Sequence, residues 1–266
     1  MSELPTIQDL GGDLLAATPR QRWLTLLRPI AIVAVFCLAA WVGAWWITPF
    51  VVFLLFVAVV TAAHDVVHGS IGLGRGATDW ALFALGALLL ESGHAYRLTH
   101  SQHHRVFPGP DDPEGDPARM SFRRAVLYGP VFLPRLWIWA FRRAHGRPKE
   151  RLWLLAEAAW TATFLLIAAG LSPQWPGLLV YAGLALSGSW VYPLLTVHLP
   201  HHDYGDTPLT QTRSCRGKFL PALFLELTYH LEHHLYPQVP SHNLPELSRR
   251  LRPVLQALES PPSKAA

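Results

Sequence analysis

As a pattern of hydrophobic and polar positions, the chain alternates long apolar runs with shorter polar segments crowded with histidine and arginine. Residues 30–48 are continuously apolar, Pro49 follows, and a second run occupies 50–68. Two further runs, 152–171 and 177–198, flank a short turn at 172–176. About 20 helical residues span the ~30 Å hydrocarbon core of a bilayer. Each run therefore predicts a transmembrane helix, and the tight joins predict two helical hairpins. Residues 79–92 are apolar but short for a crossing, which predicts a re-entrant or half-buried segment. Between 121 and 144, Trp137, Trp139 and Phe141 mix with Arg123, Arg124, Arg135, Arg142 and Arg143, the composition of a helix lying among headgroups. The predicted fold class is all-α integral membrane: four transmembrane helices as two hairpins, with interfacial helices and a cytoplasmic histidine-rich cap. Along the chain this gives an N-terminal cytoplasmic segment over 1–29, one membrane domain over 30–254 and a flexible tail over 255–266.

Composition supports the same picture. Hydrophobic residues make up 51% of the chain and charged residues 15%, where a soluble domain carries about 25% charged residues. Nothing near the start resembles a cleavable signal peptide, so the first run is expected to stay as an anchor. None of the 22 Lys and Arg falls in the two tight loops. The positive-inside rule therefore makes the opposite face, with both termini, cytoplasmic. Trp45, Trp46, Trp137 and Trp139 are expected to anchor at the interface. The net charge of +4 fits anionic headgroups better than nucleic acid, for which no motif is present. Two cysteines, Cys37 and Cys215, provide neither a disulfide framework nor a thiolate metal site.

Fourteen histidines change the picture. Four groups stand out: His64 with His68, His100 with His103 and His104, His198 with His201 and His202, and His230 with His233 and His234. Residues three and four apart share a helix face, so each group presents two or three imidazoles in one direction. All four groups fall at the cytoplasmic end of a span or in a cytoplasmic segment. Imidazole suits Fe, Zn, Cu and Ni. An inert zinc site needs only three or four ligands, and three boxes alone offer more, so two metals are expected and redox iron with O₂ gives them a use. A divalent-metal transporter or sensor is the reading from another class; a transporter would hold its ligands near the bilayer midplane, not at the rim. His94, His145 and His242 are expected to be solvated or locally hydrogen-bonded, and the acidic run 110–116 to be a solvated turn, with metal binding as its alternative. Glu157 interrupts the third apolar run close to its charged end. Gly72, Gly74 and Gly76 follow no strand, so a dinucleotide loop is not expected.

The spacing H-x-x-x-H, H-x-x-H-H and a late H-x-x-H-H resembles the membrane fatty acid desaturase superfamily over about residues 30–250. Tyr96-Arg97 before the second box and Glu232-His233-His234-Leu235-Tyr236-Pro237 at the last one add to it. Ala63-His64-Asp65-Val66-Val67-His68-Gly69-Ser70, Asp111-Asp112-Pro113, Leu199-Pro200-His201 and Tyr229-His230 are similar to the carotenoid ketolase and hydroxylase branch, although acyl desaturases share much of the last box. The resemblance implies two iron ions, with O₂ as co-substrate. It implies the ligands His64, His68, His100, His103, His104, His230, His233 and His234, with His201 at the end of the fourth span and His198 or His202 as alternatives there. Asp65 and Glu232 would either orient imidazoles through their outer N–H groups or be solvated or structural carboxylates. The implied activity is oxidation of C–H bonds in a long hydrophobic lipid, first a carotenoid ring and in the alternative an acyl chain, reached from the bilayer between the second and fourth spans. No cysteine cluster or flavin loop is present, so a ferredoxin-like external donor is expected; the basic residues from Arg97 to Arg151 fit its docking or, equally, contact with lipid headgroups.

Overall fold

The first long helix begins before its apolar run. In the computed structural model, which describes residues 4–259, Thr18 accepts from the Gln21 N–H and the Gln21 side chain bonds back to the Thr18 N–H. This capping box, with Pro19 at the first position, starts α1 (Pro19–Trp41). The helix runs through Pro29 instead of starting after it, and so crosses the expected boundary at 29/30. It ends at Trp41, earlier than the apolar run. Gly43 takes φ of 74°, a left-handed conformation that suits glycine, and one tight helical turn at Trp45–Ile47 leads into α2 (Thr48–Val67).

α2 is apolar around its whole circumference, the pattern of a helix enclosed by others. Of its membrane-length window 78% is buried, against 17% for α1, so α2 is the core and α1 its flank. Leu55, Phe56, Val59 and Ala62 sit at the centre of the main hydrophobic cluster. The 79–92 segment becomes α3 (Arg75–Leu89), which packs on α2, ends at the left-handed Leu90 and turns back into α4 (Gly93–Val106). Ser92 caps α4 by accepting from the Ala95 N–H.

α5 (Phe122–Arg143) buries Ala125, Gly129, Phe132, Leu136 and Ala140, a single helical face. At Gly129 a Cβ would come within 2.1 Å of the Trp190 carbonyl oxygen, so only glycine permits this approach. α6 (Pro148–Leu171) and α7 (Pro176–Gly188) follow. Beyond α7 the fourth span is irregular, with a tight turn at Ser189–Val191 and a wide one at Pro193–His198 before a last turn to His201. Pro193 and Pro200 donate no backbone hydrogen bond, which loosens the ladder there. By length and composition four helices can cross a membrane: Gly12–Trp41, Trp45–Val67, Pro148–Leu171 and Pro176–His201. The chain is an all-α integral membrane protein, with no strand among the described residues.

The remaining helices, α8 (His230–Leu235) and α9 (Leu244–Glu259), close one end. Leu10 and Leu14 pack with Tyr236, Val239, Leu247 and Leu251 in a second cluster. Arg250 ties the two ends of the chain together through Asp13 at 2.6 Å and is braced within α9 by Glu246 at 2.8 Å. Residues 255–259, expected to be tail, belong to α9; residues 260–266 lie outside the described residues. Trp45 and Trp46 are exposed as anchors should be, while Trp137 and Trp139 are half-buried against α5's neighbours.

Candidate metal centre

Helical spacing brings His64 of α2, His68 at its C-terminal cap, His100 and His104 of α4, and His233 of α8 to one point. Their ligand nitrogens all lie within 4.8 Å of one another. His64 Nε2 and His104 Nε2 are each 2.9 Å from His233 Nε2, and His100 Nε2 is 3.2 Å from His104 Nε2. A second group joins His103 and His201 with His234. His230 completes it, its Nε2 lying 2.9 Å from His201 Nε2 and 3.1 Å from His234 Nε2. The groups adjoin: the rings of His104 and His234 stack at 4.3 Å.

These distances fit a metal. Imidazoles bound at ~2.1 Å and at right angles place their nitrogens ~3.0 Å apart, as the closest pairs here are. His68 Nε2 is buried and has no partner among the described residues, an orphaned nitrogen that an ion would satisfy. Burial, followed by the neighbouring imidazoles, holds His100, His230, His233 and His234 well below the usual histidine range and pushes His68 down to about 2. The rings are therefore neutral, the form that ligates. An all-imidazole donor set with no thiolate matches iron, zinc, copper or nickel.

Several outer nitrogens have fixed partners. His103 Nδ1 donates to Asp112 at 2.8 Å and His100 Nδ1 to Glu114 at 3.2 Å. His201 Nδ1 donates to the Gln211 carbonyl at 3.1 Å. Each bond puts the proton on Nδ1 and leaves the Nε2 lone pair facing inward. The expected solvated turn at 110–116 is thus corrected: Asp112 and Glu114 are buried beneath α4. Asp112 accepts the Glu114 N–H, a fold-back that turns the acidic run inward. The run's position just after the second box was the available signal. Burial lifts Glu114 to about 7.

Of the two readings open for Asp65 and Glu232, their contacts match structural carboxylates. Glu232 stands two residues from His230, roughly 200° around the helix, so it faces away from the rings. It accepts from Ser214, from Arg216 at 2.7 Å and from Ser248 at 2.6 Å. Asp65 accepts from the Ser241 N–H at 3.0 Å and hydroxyl at 2.8 Å, joining α2 to the closing helices. Its nearest approach to His64 Nδ1 is 3.9 Å.

Of the three candidates near 198–202, only His201 lies within the groups. His198 Nδ1 donates to the Pro117 carbonyl at 3.0 Å, and His202 pairs with Asp203 at 2.8 Å. His94 is fully buried, stacked on Trp153 and bonded at 2.7 Å to Glu157, which is itself buried, in the first half of α6. His145 is exposed as expected. His242 departs from expectation, with both ring nitrogens buried and unpartnered among the described residues.

Against the imidazoles lies a cavity of about 420 Å³. Phe56, Val57 and Val60 of α2, Tyr192, Leu195 and Leu199 of the fourth span, and Phe224 and Leu227 form its apolar walls, and His64, His100, His103 and His230 its metal end.

The family model described as fatty acid desaturase matches residues 39–263. Among known proteins, the chain is 26% identical to dihydrorhizobitoxine desaturase of Bradyrhizobium elkanii, over 81% of this chain and 70% of that protein. It is 27% identical to beta-carotene ketolase of Paracoccus sp. (strain PC1), over 84% and 82% respectively. It is 23% identical to a temperature-sensitive sn-2 acyl-lipid omega-3 desaturase (ferredoxin), chloroplastic, of Arabidopsis thaliana, over 92% and 67%.

Proposed function

Since the chain belongs to the fatty acid desaturase family and is an oxidoreductase, we propose that its nine converging histidines hold two iron ions and that it uses O₂ to oxidise a C–H bond of a long hydrophobic lipid. The convergence of His64, His68, His100, His104 and His233 in one group and His103, His201, His230 and His234 in the other carries this reading. Bound iron would supply the activation of O₂ that no side chain can perform. The chain's own residues do the rest. Asp112, Glu114 and the Gln211 carbonyl hold three rings by their outer N–H groups. The apolar cavity seats the lipid beside the rings and keeps water out. Its walls come from the second and fourth spans, which supports access from the bilayer between them.

The substrate favoured is a carotenoid ring, oxidised to an alcohol or ketone; similarity to a beta-carotene ketolase and the residues around His64, His201 and His230 support it. An acyl chain is the second reading, supported by the desaturase names of the other relatives. Electrons come from an external donor, and a ferredoxin is favoured because one relative's name specifies it. Exposed Arg105, Arg123, Arg124, Arg142 and Arg143 suit an acidic partner, whereas Arg97 is engaged with Asp79 and Glu150. The basic segments and histidine groups face the cytoplasm in this reading.

Two measurements test the proposal. Metal analysis of the purified protein should return about two iron ions per chain; zinc alone, or at most one ion, sinks the di-iron reading and favours a transporter or sensor. Expression in cells that make β-carotene, followed by pigment and fatty-acid analysis, should yield oxidised carotenoid. Altered fatty acids with unchanged pigment select the second reading.

A further inference from the structure

A second cavity, of about 620 Å³, lies behind the first, among α2, the α3–α4 turn, α5, α6 and the irregular part of the fourth span. Apart from Glu91, Ser92, Glu157 and Ser189, its lining is almost wholly apolar. Each cavity by itself falls in the ~300–1,000 Å³ range of small-molecule sites. Val60, Tyr96 and Tyr192 line both, so they form the wall between them.

The wall is held firmly and in register with the metal centre. Tyr192 is 4% exposed. Its ring meets Phe56 edge-on at 5.9 Å and Tyr96 edge-on at 6.2 Å, with Phe132 at 6.0 Å. Tyr96 stacks on the ring of His100 at 4.8 Å. One residue of the wall therefore touches an imidazole of the first group, and the other is locked between aromatic rings of α2 and α5. A chain lying in the first cavity meets this wall at a fixed distance from the imidazoles.

We propose that Tyr96 and Tyr192, with Val60, are a partition that fixes how far a lipid chain extends past the histidines, and thereby which carbon is oxidised. The second cavity is the space the chain gains when the partition is opened. The proposal rests on the reading that the substrate is a long lipid, and it adds the residues that set position on that lipid. Tyr192 is the main determinant, because its ring is the largest group shared by the two cavities that no imidazole supports.

Binding of straight-chain fatty acids of increasing length to the purified, metal-loaded full chain tests this without relying on turnover. Each further buried methylene strengthens binding about fourfold, so parent affinity should climb with length and level off where the chain meets the wall. In Tyr192→Ala the climb should continue over several more methylenes. Tyr192→Phe, which keeps the ring, should level off where the parent does. Val60→Ala opens the wall from α2 and should extend the climb by less, which keeps the test alive if Tyr192→Ala does not fold. The proposal is overturned if Tyr192→Ala and Val60→Ala level off with the parent, if Tyr192→Phe shifts as far as Tyr192→Ala, or if the parent shows no length dependence. In oxidising cells, Tyr192→Ala should also move the position of oxidation along the chain; an unmoved position contradicts the proposal. A parent that oxidises no lipid, while Tyr192→Ala still extends the binding series, refutes the reaction and leaves the partition standing. An active parent with an invariant series does the reverse.

Discussion

The two histidine groups are positioned by different means. In the first, His64 stands on α2, the most enclosed of the four long helices, with His68 directly at its end, and outside His100 the outer support is sparse: the buried His64 Nδ1 and His233 Nδ1 have no hydrogen-bond partner among the described residues. The backbone of a packed helix and of the cap at its end places the rings of His64 and His68. In the second group, His201 comes from the last turn of a broken span and His103 from near the end of α4, and both depend on a bond from Nδ1, to Gln211 and Asp112 respectively. Rings on a close-packed helix need little further restraint, because interiors are rigid. The rings of His103 and His201 are held in orientation by an acceptor instead.

The largest expected effect removes a ligand from either group. His233→Ala and His201→Ala should both abolish lipid oxidation in cells; an active variant removes that residue from the ligand set. Next, Asp112→Asn should weaken metal binding by about 10–100-fold, and in the second group above all. Metal analysis should show iron falling from about two per chain toward one, while Glu114→Gln loses iron from the first group. Equal loss of both ions in Asp112→Asn would erase the distinction between the groups.

The depressed histidines of both groups make a smaller, graded prediction for metal-free protein. The unfolded chain takes up protons as pH falls through about 6.5, and folded His68, His100, His230, His233 and His234 do not. Folding stability should therefore decline on acidification below about 6.5, by up to ~1.4 kcal/mol per pH unit for each such group. Thermal unfolding between pH 7 and 5 checks the sign, and bound iron should delay the decline. Smallest, Asp65→Asn should cost about 1–3 kcal/mol through its weakened bonds to Ser241. It should lower the melting temperature without changing iron content, because Asp65 joins α2 to the closing helices instead of supporting a ring.

Much of the centre was legible in the sequence, since a spacing of three or four residues on a helix is already a geometric statement. His64 and His68, or His230, His233 and His234, face one way whatever surrounds them. The acidic residues beside them were harder to read. Asp112 and Glu114 belong to a polar, proline-rich segment with no periodicity, and only its fold-back beneath α4 shows them buried against imidazoles. For Glu232 the sequence left two readings open, and only its bonds to Ser214, Arg216 and Ser248, about 200° around α8 from His230, decide for the structural one. Glu157 likewise reads as a charge at a helix end until His94 and Ser92 are seen to enclose it.

By itself the sequence determined the long apolar helices, the histidine faces and their placement toward one end of the spans, because hydrophobic run length and helical period are local properties. Only the tertiary structure decided which of His198, His201 and His202 joins a group, where Asp65 and Glu232 spend their oxygens, and that two cavities share one wall. Those outcomes depend on contacts between segments far apart in the chain, and no local pattern encodes the distance between them.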